Sequence, residues 1–304
     1  MLIEVKGLSK KYGSKLAVND ISFSLEGGDV YGFIGPNGAG KTTTLRILAT
    51  LLTYDSGEIT LGGHPIREAQ TVRKIIGYLP DHLGMYEKMT VREYLEFFGK
   101  AYKLDPYYIP HVVKEVTEIT QTQNWLDMHI ESLSRGMRQR LGLAKTLVHD
   151  PPILLLDEPA SGMDPKSRVD LRELIKILQA KGKAIMISSH ILPELADFCN
   201  KVGIIDNGRL LYSGSTDDLL RKIQKDRWVT LKTTGPVETA EEVLDRCDQV
   251  TEVRKTNGVL KFAFNGTDGD LSALLRTLVA REIPVVNFAE EEKDLEGAYL
   301  KIVG

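Results

Sequence analysis

Over its first 225 residues the chain alternates short, continuously apolar runs with stretches of helical periodicity. The runs 30–35 (VYGFIG), 75–79 (IIGYL), 153–157 (ILLLD), 184–188 (AIMIS) and 202–206 (VGIID) are apolar at successive positions, as in strands covered on both faces. After the first run comes a glycine-rich turn and then a helix with Leu45, Leu48 and Leu52 on one face; further helices are predicted over 165–181 and 191–199. Buried strands alternating with helices predict an α/β fold built on a mostly parallel sheet. Between IIGYL and ILLLD, about 75 residues pass without a strand-like run. There Val91, Tyr94, Leu95, Phe98 and Tyr102 recur at helical spacing, and 106–120 and 138–148 are helix-like. This predicts an inserted α-helical subdomain at about 82–150.

After Lys225 the pattern restarts. Residues 228–232 read as a strand, and Val237, Ala240, Val243, Leu244 and Cys247 form a helical stripe. Strands at 250–254 and 259–264 are joined across Asn257-Gly258, a strong hairpin-turn pair. Leu271, Leu274, Leu275 and Leu278 make a second stripe, and 284–288 a last strand. The order β-α-β-β-α-β predicts a small ferredoxin-like α+β domain at 226–290, with a short helix at 295–302 completing a C-terminal region 226–304.

Composition narrows the function. The 304 residues carry 39 basic and 42 acidic side chains, a formal net charge of -3, which argues against nucleic acid as a partner. No apolar run approaches the ~20 residues of a bilayer span. The opening MLIEVKGLSK lacks the apolar core of a signal peptide. Cys199 and Cys247 lie far apart with no C-x-x-C, so neither a zinc site nor a disulfide framework is expected. The sequon at Asn265 has no role without a secretory route.

Gly35-Pro36-Asn37-Gly38-Ala39-Gly40-Lys41-Thr42 fits G-x-x-x-x-G-K-[ST], in the required setting between a strand and a helix. Glycines let backbone N–H groups curl around phosphate oxygens, and the opening helix turns its positive end to the anion. Lys41 is suited to the β- and γ-phosphates and the Thr42 hydroxyl to a magnesium ion. The run ILLLD ends in two carboxylates, Asp157 and Glu158, at the strand end where open α/β sheets bind ligands. Asp157 is the candidate to hold the metal, usually through water, and Glu158 the candidate to activate or position the attacking water.

Leu133-Ser134-Arg135-Gly136-Met137-Arg138-Gln139-Arg140 precedes that strand, and from Leu133 to Pro165 the chain resembles ATP-binding cassette (ABC) proteins from signature sequence to D-loop. Tyr12 in KKYG matches the aromatic that stacks on adenine, Asp164 in SGMD matches the D-loop, and His190 matches the switch histidine. Taken singly, Tyr12 reads as a strand-edge aromatic packed on a sheet, Ser134 as a helix N-cap, and His190 as a helix start with Ser188 and Ser189 as capping candidates. Their joint order favours the cassette. The resemblance covers 1 to about 225 and implies a P-loop nucleotide-binding cassette that binds ATP and Mg2+ through Tyr12, residues 35–42 and Thr43. It further implies that Glu158 and His190 serve hydrolysis, and that two cassettes pair head to tail, as a homo- or heterodimer. Ser134, Gly136 and Asp164 then meet the nucleotide held by the partner. Arg135 replaces a signature glycine, Met137 stands where Gln is commonest, and Asp81 takes the place of the Q-loop glutamine, with approach to magnesium through water as its remaining role.

The same resemblance implies an ATPase that energises export through a separate transmembrane permease subunit, peripheral on the cytoplasmic face of the cell membrane. A coupling helix of the permease would enter a groove along 81–98, with Leu83, Met85, Tyr86, Phe97 and Phe98 as apolar contacts; individually, Phe97 and Phe98 read as core. The C-terminal region resembles the tail of cassettes from ABC-2-type exporters and is expected to serve dimerisation or regulation. The alternative is a soluble ABC ATPase acting in assembly or another non-transport process, although long coiled-coil insertions and tandem cassettes are both absent. A GTPase would want N-K-x-D, whereas Asn200-Lys201-Val202-Gly203 ends in glycine.

Overall fold

The computed structural model describes residues 1–190, 198–223, 227–256 and 258–290. The expected helix 191–199 lies mostly outside them, as do Asn257 and the expected helix 295–302. The chain divides into two compact units, the first ending at Thr216.

The first unit opens with two long antiparallel strands, β1 (Ile3–Tyr12) and β2 (Lys15–Leu25), before β3 (Val30–Ile34) and α1 (Lys41–Leu48). Next come β4 (Ser56–Leu61), β5 (His64–Pro65), α2 (Ala69–Ile75) and β6 (Ile76–Leu79). Three helices follow: α3 (Val91–Ala101), α4 (Ile109–Ile119) and α5 (Arg135–Leu147). Then come β7 (Ile153–Asp157), α6 (Pro165–Ala180), β8 (Ala184–Ser189), β9 (Lys201–Asp206) and β10 (Arg209–Ser215), with α7 (Thr216–Ile223) at the junction of the units.

Two sheets result. The strands β2-β1-β4-β5 form an antiparallel sheet, and β10-β9-β3-β8-β7-β6 a second one in which β9, β3, β8, β7 and β6 run parallel. β3 and β7 are buried at every position, hence their unbroken apolar sequence. One core unites Val5, Leu25 and Ile59 of the first sheet with Tyr31, Leu155 and Met186 of the second and Leu45 and Leu48 of α1. Within it the rings of Phe23 and Tyr31 stack with centroids 5.3 Å apart.

No strand forms between β6 and β7, and the expected helices are there. α3 begins in a capping box: Thr90 Oγ1 accepts the Glu93 N–H at 3.2 Å while Glu93 Oε2 accepts the Thr90 N–H at 2.8 Å. α5 begins at Arg135, three residues before the expected 138, because Ser134 Oγ accepts the Met137 N–H at 3.3 Å and starts the helix there. Phe97 is 40% exposed, so its assignment to the core fails, whereas Phe98 is half-buried. Phe97 and Phe98 meet edge to face, as do Phe97 and the exposed Tyr86.

The second unit contains β11 (Arg227–Thr233), α8 (Val237–Asp245), β12 (Val250–Thr256), β13 (Val259–Phe264), α9 (Asp268–Ala280) and β14 (Val285–Glu290). Its antiparallel sheet, in the order β12-β13-β11-β14, is ferredoxin-like. Val229, Leu231, Leu260 and Phe262 on the strands pack with Ala240, Leu244, Leu274 and Leu278 on the helices, giving the unit its own core. No helix among the described residues is long and apolar enough to cross a membrane.

Candidate active site

The parallel register brings three strand ends together. Ile34 lies opposite Ser189, and Asp157 opposite Ser188, so β8 sits between the loop after β3 and the acidic end of β7. The loop 35–40 is held by backbone contacts that only glycine permits at two points. A Cβ on Gly35 would lie 2.1 Å from the Ile205 carbonyl oxygen. Gly40 has φ +112°, and a Cβ there would meet the Ala17 carbonyl oxygen at 2.5 Å. Ala39 is buried, while Pro36, Asn37 and Gly38 are exposed and form the rim of the loop.

Lys41 is buried and folds back on its own loop, donating from Nζ to the carbonyl oxygens of Gly35 at 2.6 Å and Pro36 at 3.2 Å. Its Nζ also lies 3.8 Å from Glu158 Oε1. Burial lowers the Lys41 pKa, and the charges of Glu158 and Asp157 oppose the shift. Thr42 Oγ1 donates to Asp157 Oδ1 at 3.1 Å, and Ser188 Oγ donates to the same oxygen at 2.6 Å. Asp157 is 1% exposed, and its Oδ2 is buried with no hydrogen-bond partner. Burial raises its pKa, partly offset by the two hydroxyl donors, and the charge of Asp81 pushes the same way as burial. An orphaned carboxylate oxygen beside a threonine hydroxyl fits a hydrated hard cation, which takes oxygen ligands and keeps water.

Glu158 follows directly at φ +48°, a left-handed conformation rare for a residue with a side chain. Its N–H donates to Ser188 Oγ at 3.0 Å, and its Oε2 lies 3.0 Å from His190 Nδ1, which carries the proton if it is the donor. Burial raises the Glu158 pKa; hydrogen bonding to His190 and the positive charges of His190 and Lys41 work against it. Lys41, Thr42, Asp157, Glu158 and His190 thus form one contiguous polar group. Thr43 lies half-buried on the first turn of α1. Tyr12 ends β1 as a residue 49% exposed, with Lys10 Nζ 5.5 Å from its ring centroid, rather than packed on the sheet. Asp81 is exposed and pairs with His82 at 3.3 Å.

Ser134, Gly136 and Asp164 gather elsewhere, around an open concavity of about 510 Å³ shared with Arg135 and Lys166. Asp164 caps α6, accepting the Ser167 N–H at 3.0 Å and the Ser167 hydroxyl at 2.7 Å, and these bonds hold its carboxyl below the usual carboxylate range. Ser188 and Ser189 are buried at the end of β8, and the helix they were expected to cap lies mostly outside the described residues. Ser188 is a site residue that sequence reasoning missed: one hydroxyl links Asp157 and Glu158. The available signal was the polar ending of AIMISS on a strand adjacent to ILLLD.

Residues 18–161 match the family described as "ABC transporter". The linearmycin resistance ATP-binding protein LnrL of Bacillus subtilis is 32% identical over an alignment of 306 positions that covers 100% of this chain and 98% of LnrL. The Nod factor export ATP-binding protein I of Burkholderia lata is 38% identical over 219 residues, 72% of each chain. A solved ATP-binding subunit of an ABC transporter superposes with a TM-score of 0.68 at 30% identity, covering 73% of this chain and 93% of that one. Likeness along its whole length to ATP-binding proteins of this kind makes the chain a member of the ABC transporter family, on its ATP-binding side.

Proposed function

We propose that the chain is the ATP-binding and ATP-hydrolysing subunit of an exporter, acting as one of two cassettes attached to a separate membrane permease. The observation that carries the reading is the position of Glu158, a half-desolvated carboxylate 3.8 Å from Lys41 and in contact with His190, one residue beyond Asp157. In this reading the adenine stacks on Tyr12, the N–H groups of 35–43 surround the phosphates, and Lys41 leaves the Gly35 and Pro36 carbonyls for β- and γ-phosphate oxygens. Thr42 and Asp157 would hold Mg2+, which Asp81 could approach through water, and the ion would supply positive charge to the phosphate oxygens. Glu158 accepts the proton of the attacking water, and burial favours this by keeping its carboxyl above the ordinary range. His190 steadies that carboxylate.

Ser134 and Gly136, at the start of α5, meet the nucleotide of the partner cassette. The Asp164 carboxylate is committed to its helix cap, so the D-loop takes part through its backbone. ATP thus becomes part of the interface, and hydrolysis releases the pair. Residues 1–225 form the ATPase domain and 226–304 an accessory domain. The exposed side chains of Tyr86 and Phe97 suit a coupling helix of the permease, and in this reading the protein works at the cytoplasmic face of the cell membrane. The names of the relatives, linearmycin resistance and Nod factor export, favour export.

Glu158→Gln is expected to keep ATP binding, lower turnover at least ~100-fold and trap an ATP-bound dimer in gel filtration. Wild-type turnover by this variant would overturn the assignment. Purification of the tagged chain from membranes should recover a protein with several membrane spans; recovery of soluble proteins alone would favour the assembly-type alternative.

A further inference from the structure

The start of α5 is joined to the turn that carries Glu158 through one side chain, Arg135. Its Nη2 donates to Ser161 Oγ at 3.2 Å. Its side chain packs against Gly162, where an added Cβ would lie 2.5 Å from Arg135 Cζ and Nε and 2.9 Å from Cδ. Gly162 has φ +71°, a left-handed conformation that favours glycine, and a side chain there would displace Arg135. The other end of the turn is fixed too: the Ser161 N–H donates to the Glu158 carbonyl at 3.0 Å. Ser134, Arg135, Ser161 and Glu158 therefore form a continuous chain of contacts. Arginine is also poorly placed for the helix itself, since a cation in the first turn opposes the helix dipole and that turn has no acidic residue. Its position is explained by what it holds.

We propose that Arg135 is a positioning residue that couples the two ATP sites of the paired cassettes. Resting on the pairing reading above, the contact of Ser134 with the partner's nucleotide fixes the start of α5. Arg135 passes that constraint through Ser161 and Gly162 to the turn that sets this chain's own Glu158. Occupancy of one site then tunes hydrolysis at the other, a coupling free energy carried by a clasp that is either closed or open.

The test measures steady-state ATP hydrolysis against ATP concentration in the full-length chain. The wild type is expected to show a Hill coefficient well above 1, with 2 as its ceiling for two sites. Arg135→Ala, Ser161→Ala and Gly162→Ala should each bring it to about 1 and lower kcat several-fold, with little change in the half-saturating ATP concentration. The double variant Arg135→Ala/Ser161→Ala should be no worse than either single one, as expected for one shared interaction. Arg135→Lys, which retains a donor able to reach Ser161, should recover part of the cooperativity. Cooperativity unchanged in Ser161→Ala and Gly162→Ala would overturn the proposal, as would a Hill coefficient of 1 in the wild type. ATP-dependent dimerisation of Glu158→Gln, measured alongside, separates the two levels: without a dimer the pairing reading fails, and with a dimer but no effect of the clasp variants only the coupling fails.

Discussion

Lys41 directs its whole ammonium group at the protein: two carbonyl oxygens of its own loop and the carboxylate of Glu158. A buried cation held this way is pre-positioned, and phosphate oxygens can replace the carbonyls without a large change in its burial. Lys41→Ala is therefore expected to weaken binding of a fluorescent ATP analogue at least ~100-fold, about 2.7 kcal/mol, with the fold intact by circular dichroism. Near wild-type affinity would show that the backbone N–H groups and the helix end bind the phosphates alone. At this scale the motif residues were legible because their chemistry is local: a glycine loop, a lysine and two carboxylates announce themselves. Ser188, and Arg135 against Gly162, were not, because each matters through a neighbour that only the fold supplies. A serine at the end of a strand becomes a site residue only when Asp157 lies in register with it.

Secondary structure was readable where burial is complete. β3, β7 and β8 appeared as unbroken apolar runs because both faces are covered. β1 and β2 escaped notice because their ladder slips register at several points and sets a lysine, Lys10, at a buried position, masking the alternation. α2 was missed for a simpler reason: it buries only Val72. The helical subdomain contains a pH-sensitive joint of its own. His149, just beyond α5, stacks on Tyr102 with ring centroids 3.7 Å apart, and its Nε2 lies 2.9 Å from the Ile76 carbonyl oxygen. Burial pushes its pKa down to about 4, and its buried Nδ1 has no partner to stabilise a second proton. Above about pH 6.5 the ring is neutral in folded and unfolded chains, so its contribution is fully present. Between about 6.5 and 4 only the unfolded chain takes up the proton, and stability falls with pH by on the order of 2 kcal/mol after allowance for partial exposure. Urea midpoints from pH 7.5 to 4.5 should fall less steeply in His149→Phe than in the wild type; parallel curves would mean that the ring titrates normally.

The second unit was the most legible part of the chain as a fold and the least legible as a function. Its stripes, its hairpin and its β-α-β-β-α-β order follow from periods of 3.6 and 2, and its core of Val229, Leu231, Phe262 and Leu278 is complete in itself. Among the described residues its core shares no side chain with the core that supports the phosphate loop, as in a domain with a core of its own. Truncation after residue 225 is thus expected to leave a folded cassette that binds ATP with unchanged affinity. If the accessory unit serves pairing, the truncated Glu158→Gln chain should dimerise with ATP at least several-fold more weakly in sedimentation velocity. If it serves regulation, the truncated wild type should keep its dimer constant and change its rate of hydrolysis. Equal values for both quantities would remove either role and leave the unit as a docking element for another subunit of the transporter.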